Sequence, residues 1–174
     1  IIEPRYGNKK KTIKFFKKEL NYINNKKKNS YLKASESNQE EFIDLIKKIS
    51  ADYSNKRISI RIHPFESKKK YEILFKKFEN IKIVSDNEDL NETLKYAKVL
   101  IHYNCTTSFE FYLLKKYKTL MPNYFKSSNY LKFNEYIKKS SKLNFSYEKI
   151  KKNIELILKK KKKEKINLNS YKIK

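Results

Sequence analysis

The stretch from Lys98 to Met121 constrains the fold most, because it combines a strand, a loop, a helix start and a second strand. The apolar run Val99 to Ile101 predicts a buried strand, and the polar residues His102 to Asn104 predict a loop after it. Cys105 to Thr107 would open a helix, and Thr119 to Met121 would form the next strand. The first N–H groups of a helix are unpaired and lie at the positive end of its dipole. The sequence therefore predicts an anion site at this helix start, suited to the phosphates of a nucleotide.

Strands alternate with helices through the earlier part of the chain as well. Ile58, Ile60 and Ile62 recur at every second position, which predicts a strand over 57–63. Apolar residues at helical spacing predict a helix over Gln39 to Ala51. The other predicted elements are a weak strand at 30–34, helices at 11–23, 69–78 and 89–97, a short strand at 81–84, and a last helix capped by Ser146. This alternation predicts an α/β fold with a Rossmann-like parallel sheet and helices on both faces.

The chain divides into three parts by pattern. Residues 1–29 carry little pattern and are expected to be a linker, and the start at Ile1 rather than Met predicts that the chain is a fragment. Residues 30–158 are expected to form one Rossmann-like domain, and residues 159–174 a basic tail. No apolar run reaches about 18 residues, so the sequence predicts no membrane-spanning segment.

The formal charge of +24 invites a nucleic-acid function, but the composition argues against one. Only three of the 43 basic residues are arginines, whereas nucleic-acid sites favour arginine for bidentate contacts. The abundance of Lys, Asn, Ile and Tyr beside a single glycine is typical of a bias toward AT-rich codons. The lysines are therefore expected to form a solvated surface, and contact with an anionic membrane or an acidic glycan stays open as an alternative.

The few cysteines and histidines limit the chemistry. Cys105 is the only cysteine, which excludes an internal disulfide and a cysteine-rich zinc site and fits a reducing compartment. The two histidines, His63 and His102, belong to no metal motif, so no metal is expected. We therefore predict a cytoplasmic location, with peripheral contact at the inner face of the membrane as an option.

Two predicted loops are candidates for a shared site. Ligands of parallel sheets sit at the carboxyl ends of the strands, a rule that brings the loop His63–Glu66 near the loop His102–Ser108. Thr106 and Thr107 would then bind a diphosphate, and Glu110 would accept hydrogen bonds from a ribose diol. The spacing of Thr107 and Glu110 equally predicts a capping box, in which both residues serve the helix without a ligand.

Each remaining candidate also has a structural alternative. His63 ends a strand before a proline and could equally be a surface or capping residue. Glu66 would be a general acid or base, or a solvated loop carboxylate. Cys105 would be a nucleophile or a small buried packing residue. The sequence contains no glycine-rich phosphate loop, so hydroxyls at a helix terminus would have to hold the phosphates.

The order of these motifs resembles that of the bacterial surface carbohydrate biosynthesis proteins, which are similar to the C-terminal half of GT-B glycosyltransferases. The resemblance runs over residues 30–156, and Ile2-Glu3-Pro4-Arg5 is similar to the segment that closes the N-terminal domain in such proteins. The matching pieces are Arg61-Ile62-His63-Pro64-Phe65-Glu66, Asn80 to Val84, Ala97 to His102, and Cys105-Thr106-Thr107-Ser108-Phe109-Glu110.

The resemblance implies a nucleotide-sugar donor, a glycan or lipid-linked acceptor, and no cofactor or essential metal. It places Thr106 and Thr107 near the diphosphate, Glu110 near the ribose, and His63 near phosphate or base. The usual catalytic base and the acceptor site would lie in the missing N-terminal domain, which leaves His63 and Glu66 as catalytic candidates in this chain. The substrate-binding residues that the resemblance implies are Arg61, His63, Pro64, His102, Cys105, Thr106, Thr107, Ser108 and Glu110.

The chain departs from the family at two places, because glycine is missing both before the Cys105-Thr106-Thr107 turn and after the motif helix. Family members usually have Gly-Lys-Pro after the motif helix, where this chain has Lys116-Tyr117-Lys118, so the helix should end without a left-handed glycine. A CDP-alcohol phosphotransferase or a UDP-sugar 2-epimerase of the same fold would use the same phosphate site. A non-catalytic basic binding module is the alternative from another class, and an incomplete gene product without activity is a third.

Overall fold

The structure is a computed structural model of the chain and describes residues 25–62, 66–84, 87–103, 105–125 and 135–159. Within these residues, no helix combines the length and the apolar character needed to cross a membrane. The elements in chain order are α1 (Asn25–Asp52), β1 (Ile58–Arg61), α2 (Lys68–Phe75), β2 (Ile81–Val84), α3 (Leu90–Tyr96), α4 (Thr107–Lys115), β3 (Thr119–Pro122), α5 (Glu135–Ser140), β4 (Ser141–Asn144) and α6 (Tyr147–Lys159).

The paired strands of the described chain are all parallel. β1 pairs with β2, with Ile58 opposite Ile81, and β3 pairs with β4. The predicted strand Val99–Ile101 contributes a single parallel bridge, from Ile101 to Leu120. The predicted α/β class with parallel strands is therefore confirmed. The strands form two two-stranded sheets, whereas the sequence predicts one continuous sheet.

Two hydrophobic clusters cover opposite sides of the segment Val99–Ile101. The larger cluster contains the apolar faces of α1 and α6, Ile60 of β1 and Ile62 just after it, and the first and last residues of the segment pack against it. The smaller cluster contains Leu100 with Leu94 of α3 and Phe111 of α4. Successive side chains of an extended segment point to opposite sides, which explains why Leu100 joins a different cluster from its neighbours. Helices therefore cover both sides of this segment.

The first helix differs from the prediction. Residues 30–34, predicted as a weak strand, are part of a continuous helix that runs through residue 39, within α1. The strand signal there rested on Tyr31 and Leu32, and no proline or glycine interrupts the run, so the helix predicted from Gln39 continues toward the N-terminus. The domain boundary placed between residues 29 and 30 falls inside α1. The predicted helix at 11–23 and residues 160–174 of the predicted tail lie outside the described residues.

Most other predicted elements are confirmed with small changes at their ends. Asp89 caps α3 by accepting from the N–H of Asn91 at 2.8 Å. Ser146 caps α6 by accepting from the N–H of Lys149 at 3.2 Å. Leu74 of α2 is 37% exposed, whereas Tyr71 and Phe75 on the same helix are buried. The core face of α2 is therefore narrower than its apolar pattern indicates.

The chain after β3 contains two elements, α5 and β4, that are not among the elements predicted from the sequence. β4 has only one large apolar residue, Leu143, so its alternation is weak. Its last residue, Asn144, is fully buried, accepts from Asn153 Nδ2 at 2.6 Å and donates to the carbonyl of Met121 at 3.3 Å. Hydrogen bonds to residues distant in sequence therefore stabilise this strand in place of apolar side chains.

Helix α4 ends at a lysine in the left-handed region of backbone space. Lys116 has φ 60° and ψ 19°, and its N–H donates to the carbonyl of Tyr112 at 2.8 Å. The helix ends without a glycine, as expected, but Lys116 adopts the left-handed conformation that a glycine would otherwise have at this position. Tyr117 donates its hydroxyl to the carbonyl of Lys98 and packs edge-on against Phe111. These contacts anchor the residue that follows the helix and hold Lys116 in a conformation that disfavours a Cβ.

Replacing Lys116 with glycine is expected to raise the free energy of unfolding by about 1 kcal/mol, because glycine has no Cβ to oppose a positive φ. Urea denaturation measures the change. The matched control is Lys118→Gly, which removes the same side chain at an exposed position without a positive φ and should bring no gain. Equal effects of the two substitutions would show that left-handed strain at Lys116 is not the cause.

Candidate functional site

The predicted anion site is the turn formed by residues 105–110, which we call the Thr106 turn. Thr106 is the N-cap residue of α4. The N–H of Thr107 lies 3.3 Å from the sulfur of Cys105, and the N–H of Ser108 donates to the carbonyl of Cys105 at 3.2 Å. The N–H of Phe109 donates to the carbonyl of Thr106 at 2.9 Å. These three N–H groups already have partners within the turn, so a ligand here would depend on side chains and the helix dipole.

The capping box predicted from Thr107 and Glu110 is wrong. Thr107 is the first residue of α4 rather than its N-cap, and the side chain of Thr106 makes no capping hydrogen bond. The fully buried sulfur of Cys105 accepts from the N–H of Thr107 instead. The exposed hydroxyl of Thr106 is therefore not used in capping the helix.

Burial divides the predicted substrate-binding residues of this region into two groups. The surface group comprises exposed Thr106 and Glu110 and half-buried Thr107. The interior group, with no more than trace exposure, comprises His102, Cys105 and Ser108. Substrate binding by all six stays a prediction, and in this conformation only the surface group presents side chains to a ligand.

His102 fixes the loop that leads into the Thr106 turn. Its Nδ1 accepts from the N–H of Cys105 at 3.3 Å, and its Nε2 lies 2.9 Å from both Thr119 Oγ1 and Ser141 Oγ. Because Nδ1 accepts, the ring proton is on Nε2, which donates to these hydroxyls. Burial lowers the pKa of His102 to about 3, so the imidazole is neutral. His102 therefore acts as a positioning residue that joins the turn to β3 and β4.

A chain of buried hydroxyls that the sequence did not single out extends this network. Thr119 Oγ1 donates to the carbonyl of Ser140 at 3.1 Å, and Ser140 Oγ lies 2.9 Å from Ser108 Oγ. Thr119, Ser140 and Ser141 are all buried. Their only sequence signal is the serine pair inside a lysine-rich run, which does not identify a partner. The network attaches the first turn of α4 to the junction of α5 and β4.

Glu66, predicted as a catalytic candidate, joins the loop after β1 to two helices. Its Oε1 accepts from Gln39 Nε2 at 2.7 Å and from the Tyr71 hydroxyl at 2.9 Å. Lys70 donates to the Oε1 of Gln39 at 2.9 Å. Burial, together with the charge of Glu66, raises the pKa of Tyr71, which stays protonated as a donor. These contacts give Glu66 a structural role, and its catalytic role stays a prediction.

The other predicted residues of the first loop are only partly described. Arg61 Nη1 donates to the carbonyl of Glu88 at 2.7 Å, which ties the end of β1 to the segment before α3. His63 and Pro64 lie outside the described residues. The predicted convergence of this loop with the Thr106 turn therefore stays a prediction.

The Thr106 turn combines two hydroxyls, a carboxylate and a helix N-terminus at the surface. Hydroxyls and the dipole suit phosphate oxygens, and a carboxylate suits the diol of a ribose. Over the described ranges, no three His, Cys, Asp or Glu side chains are grouped to hold a metal ion. The turn therefore offers hydroxyl donors and a carboxylate acceptor, and its recognition of a diphosphate and a diol stays a prediction.

Comparison with known proteins finds no counterpart: no family model, no curated protein and no solved structure matches this chain.

Proposed function

We propose that this chain is the donor-binding domain of a GT-B-like glycosyltransferase of surface polysaccharide biosynthesis, and that it binds a nucleotide sugar at the Thr106 turn. The observation that carries the assignment is the pair of exposed side chains, Thr106 and Glu110, at the start of α4. They follow directly on the segment Val99–Ile101, which runs parallel to β3. In parallel α/β folds this is the end of the strand at which ligands bind.

The chemistry of the site follows from these groups. Thr106 and Thr107 donate their hydroxyls to diphosphate oxygens, and the dipole of α4 adds about 0.3–1 kcal/mol. Glu110 lies one turn into the helix, where its carboxylate accepts from the ribose hydroxyls without facing the phosphates. Buried His102 and Ser108 hold the turn in place before the donor arrives, which lowers the entropic cost of binding.

A Rossmann-like arrangement is the fold that this function requires. It would order the strands as β2, β1, Val99–Ile101, β3 and β4, with β1 and Val99–Ile101 as neighbours that form no strand pairing among the described residues. The two observed parallel pairs, the bridge at Ile101 and the hydrophobic clusters on both sides of Leu100 support that order. The acceptor, a glycan or a lipid-linked sugar, would bind a separate domain, with both domains working at the cytoplasmic face of the membrane.

Calorimetry with UDP-, GDP- and CDP-sugars and CDP-glycerol tests donor binding. We expect one nucleotide class to bind. Thr106→Ala and Glu110→Ala should each weaken the affinity for that nucleotide roughly tenfold, since each removes hydrogen bonds to a polar or charged ligand group. Thr106→Ser, which keeps the hydroxyl, and Glu79→Ala, which removes an exposed carboxylate elsewhere, are the matched controls. Binding of no nucleotide in calorimetry or thermal-shift measurements, or unchanged binding in both variants, would refute the assignment.

The same donor panel separates the competing functions. Preference for CDP-glycerol would favour a phosphotransferase, and turnover of a UDP-sugar without acceptor would favour an epimerase. Binding to nucleic acid or anionic vesicles that falls steeply with salt and ignores both substitutions would favour a basic module.

A further inference from the structure

A second site lies apart from the Thr106 turn. A cavity of about 970 Å³ is lined by α1, β1, β2, α3, the segment Val99–Ile101 and α6. Its volume is at the upper end of the range of small-molecule sites. None of the residues of the Thr106 turn lines it. A ligand here would therefore be distinct from the nucleotide sugar.

The interior of the cavity is apolar. Aliphatic side chains from α1, β1, the segment Val99–Ile101 and α6 line it. Six of them are Ile46, Ile49, Ile60, Val99, Ile101 and Ile154. All six belong to the larger hydrophobic cluster or pack against it. An apolar ligand group would extend that cluster, whereas a sugar or a base placed among these aliphatic side chains would find few hydrogen-bond partners.

The cavity is lined by three cations whose charged groups have no partner among the described residues. Lys56 and Arg57 immediately precede β1, Lys98 immediately precedes Val99, and all three line the cavity. They are exposed, and among the described residues their charged groups have no hydrogen-bond or ion-pair partner. The lining also includes Lys82, which pairs with Glu88 at 3.4 Å. Unpaired cations are therefore available for an anionic ligand group.

The carboxylates of the lining are already engaged. Glu88 pairs with Lys82, Asp89 Oδ1 accepts from the N–H of Asn91 at 2.8 Å, and Glu92 lies 3.6 Å from the ammonium of Lys95. Their charges are thus partly offset by local partners, whereas no described residue pairs with the charged groups of Lys56, Arg57 and Lys98. The charged groups that remain available to a ligand at the cavity are therefore cations.

We propose that this cavity binds an anionic single-chain amphiphile, with its hydrocarbon chain among the aliphatic side chains and its carboxylate or phosphate head beside Lys56, Arg57 and Lys98. Burial of the chain supplies affinity in proportion to its length, and the cations select the head group. The assignment does not depend on donor binding at the Thr106 turn.

Titration of the full chain with octyl, decyl and dodecyl phosphate, below their micelle-forming concentrations, tests the apolar part. We expect each two-carbon extension to tighten binding about 15-fold, the factor that corresponds to burying two methylenes. Dodecanoate in place of dodecyl phosphate distinguishes a carboxylate head from a phosphate head. Affinity that does not depend on chain length, or binding of inorganic phosphate as tight as that of dodecyl phosphate, would overturn the proposal.

A triple neutralisation tests the cationic part. Lys56→Gln, Arg57→Gln and Lys98→Gln together should weaken dodecyl phosphate at least about tenfold and leave dodecanol unchanged. The matched control neutralises three exposed lysines outside the lining, by Lys69→Gln, Lys118→Gln and Lys149→Gln. Equal weakening by the control would mean that net charge alone attracts the amphiphile, and the site would be refuted.

A third variant tests the cavity itself. Val99→Trp places a large side chain at half-buried Val99 in the lining and should abolish binding of dodecyl phosphate. Thermal denaturation in the absence of ligand confirms that the variant is folded. Unchanged affinity in a folded Val99→Trp protein would place the amphiphile elsewhere and contradict the proposal.

Discussion

Acidification from pH 7 to pH 4 is expected to remove roughly 3 kcal/mol of folding free energy through His102 alone. Burial lowers the pKa of this histidine to about 3 in the folded chain, against 6.5 for an unperturbed imidazole. Between these values the unfolded chain binds a proton that the folded chain rejects, so stability falls as the pH falls. The loss begins near pH 6.5 and continues until the folded pKa is reached.

Urea denaturation of the wild type and of His102→Gln over this pH range isolates the effect. Glutamine does not titrate, and its amide can donate to Thr119 and Ser141 as Nε2 does. The variant should be less stable at pH 7, and the difference should shrink as the pH falls. Acid destabilisation from the hydrogen-bonded carboxylates, such as Asp52, cancels in this difference because both proteins share it.

His63→Gln is the matched control, since the chain has only two histidines. It shows how much of the pH dependence comes from the other imidazole. A constant difference between wild type and His102→Gln from pH 7 to pH 4 would show that His102 is not held neutral by burial.

Asn80→Asp is expected to lower the free energy of unfolding by about 3 kcal/mol. Asn80 Nδ2 donates to the carbonyls of Ser50, Tyr53 and Lys56 at 3.1–3.3 Å, and its Oδ1 accepts from Ser50 Oγ at 2.6 Å. One side chain thus satisfies the carbonyls at the end of α1 and fixes the residue before β2. A carboxylate cannot donate to them, and it places a negative charge against three carbonyl oxygens.

Asn91→Asp is the control for this substitution. Asn91 is exposed in the first turn of α3, where a negative charge is favoured by the helix dipole, so the change should be within about 0.5 kcal/mol of neutral. Thermal and urea denaturation measure both variants. Similar losses in the two proteins would show that the amide of Asn80 has no special role at the end of α1.

The local sequence pattern was enough to predict the helices and strands with clear periodicity. The alternation of Ile58, Ile60 and Ile62 predicts β1, and Asp89 and Ser146 mark the starts of α3 and α6. These signals succeed because each depends on neighbours within a few residues. β4 and the first half of α1 were not predicted. β4 is stabilised by the buried Asn144, and the N-terminal half of α1 carries little apolar pattern.

The candidate site shows the same division. The start of α4 near Thr107 was predictable, because a strand, a polar loop and hydroxyls precede an apolar helix. The group that caps the helix was not predictable, because the Cys105 sulfur accepts from the N–H of Thr107 in place of the expected threonine hydroxyl. The cavity beside Lys56 and Lys98 also has no sequence signature, because its lining comes from six separate parts of the chain.

By itself the sequence determined an α/β chain with parallel strands and located the turn that starts α4. Only the tertiary structure decided which polar residues of that region are interior. His102 reads as an exposed loop residue, yet its partners Thr119 and Ser141 lie 17 and 39 residues further along the chain. Burial of a polar group is favourable only when such partners are in place. Periodicity reports the face of a single element, whereas the hydrogen bonds that allow a histidine to be buried depend on elements that the fold alone brings together.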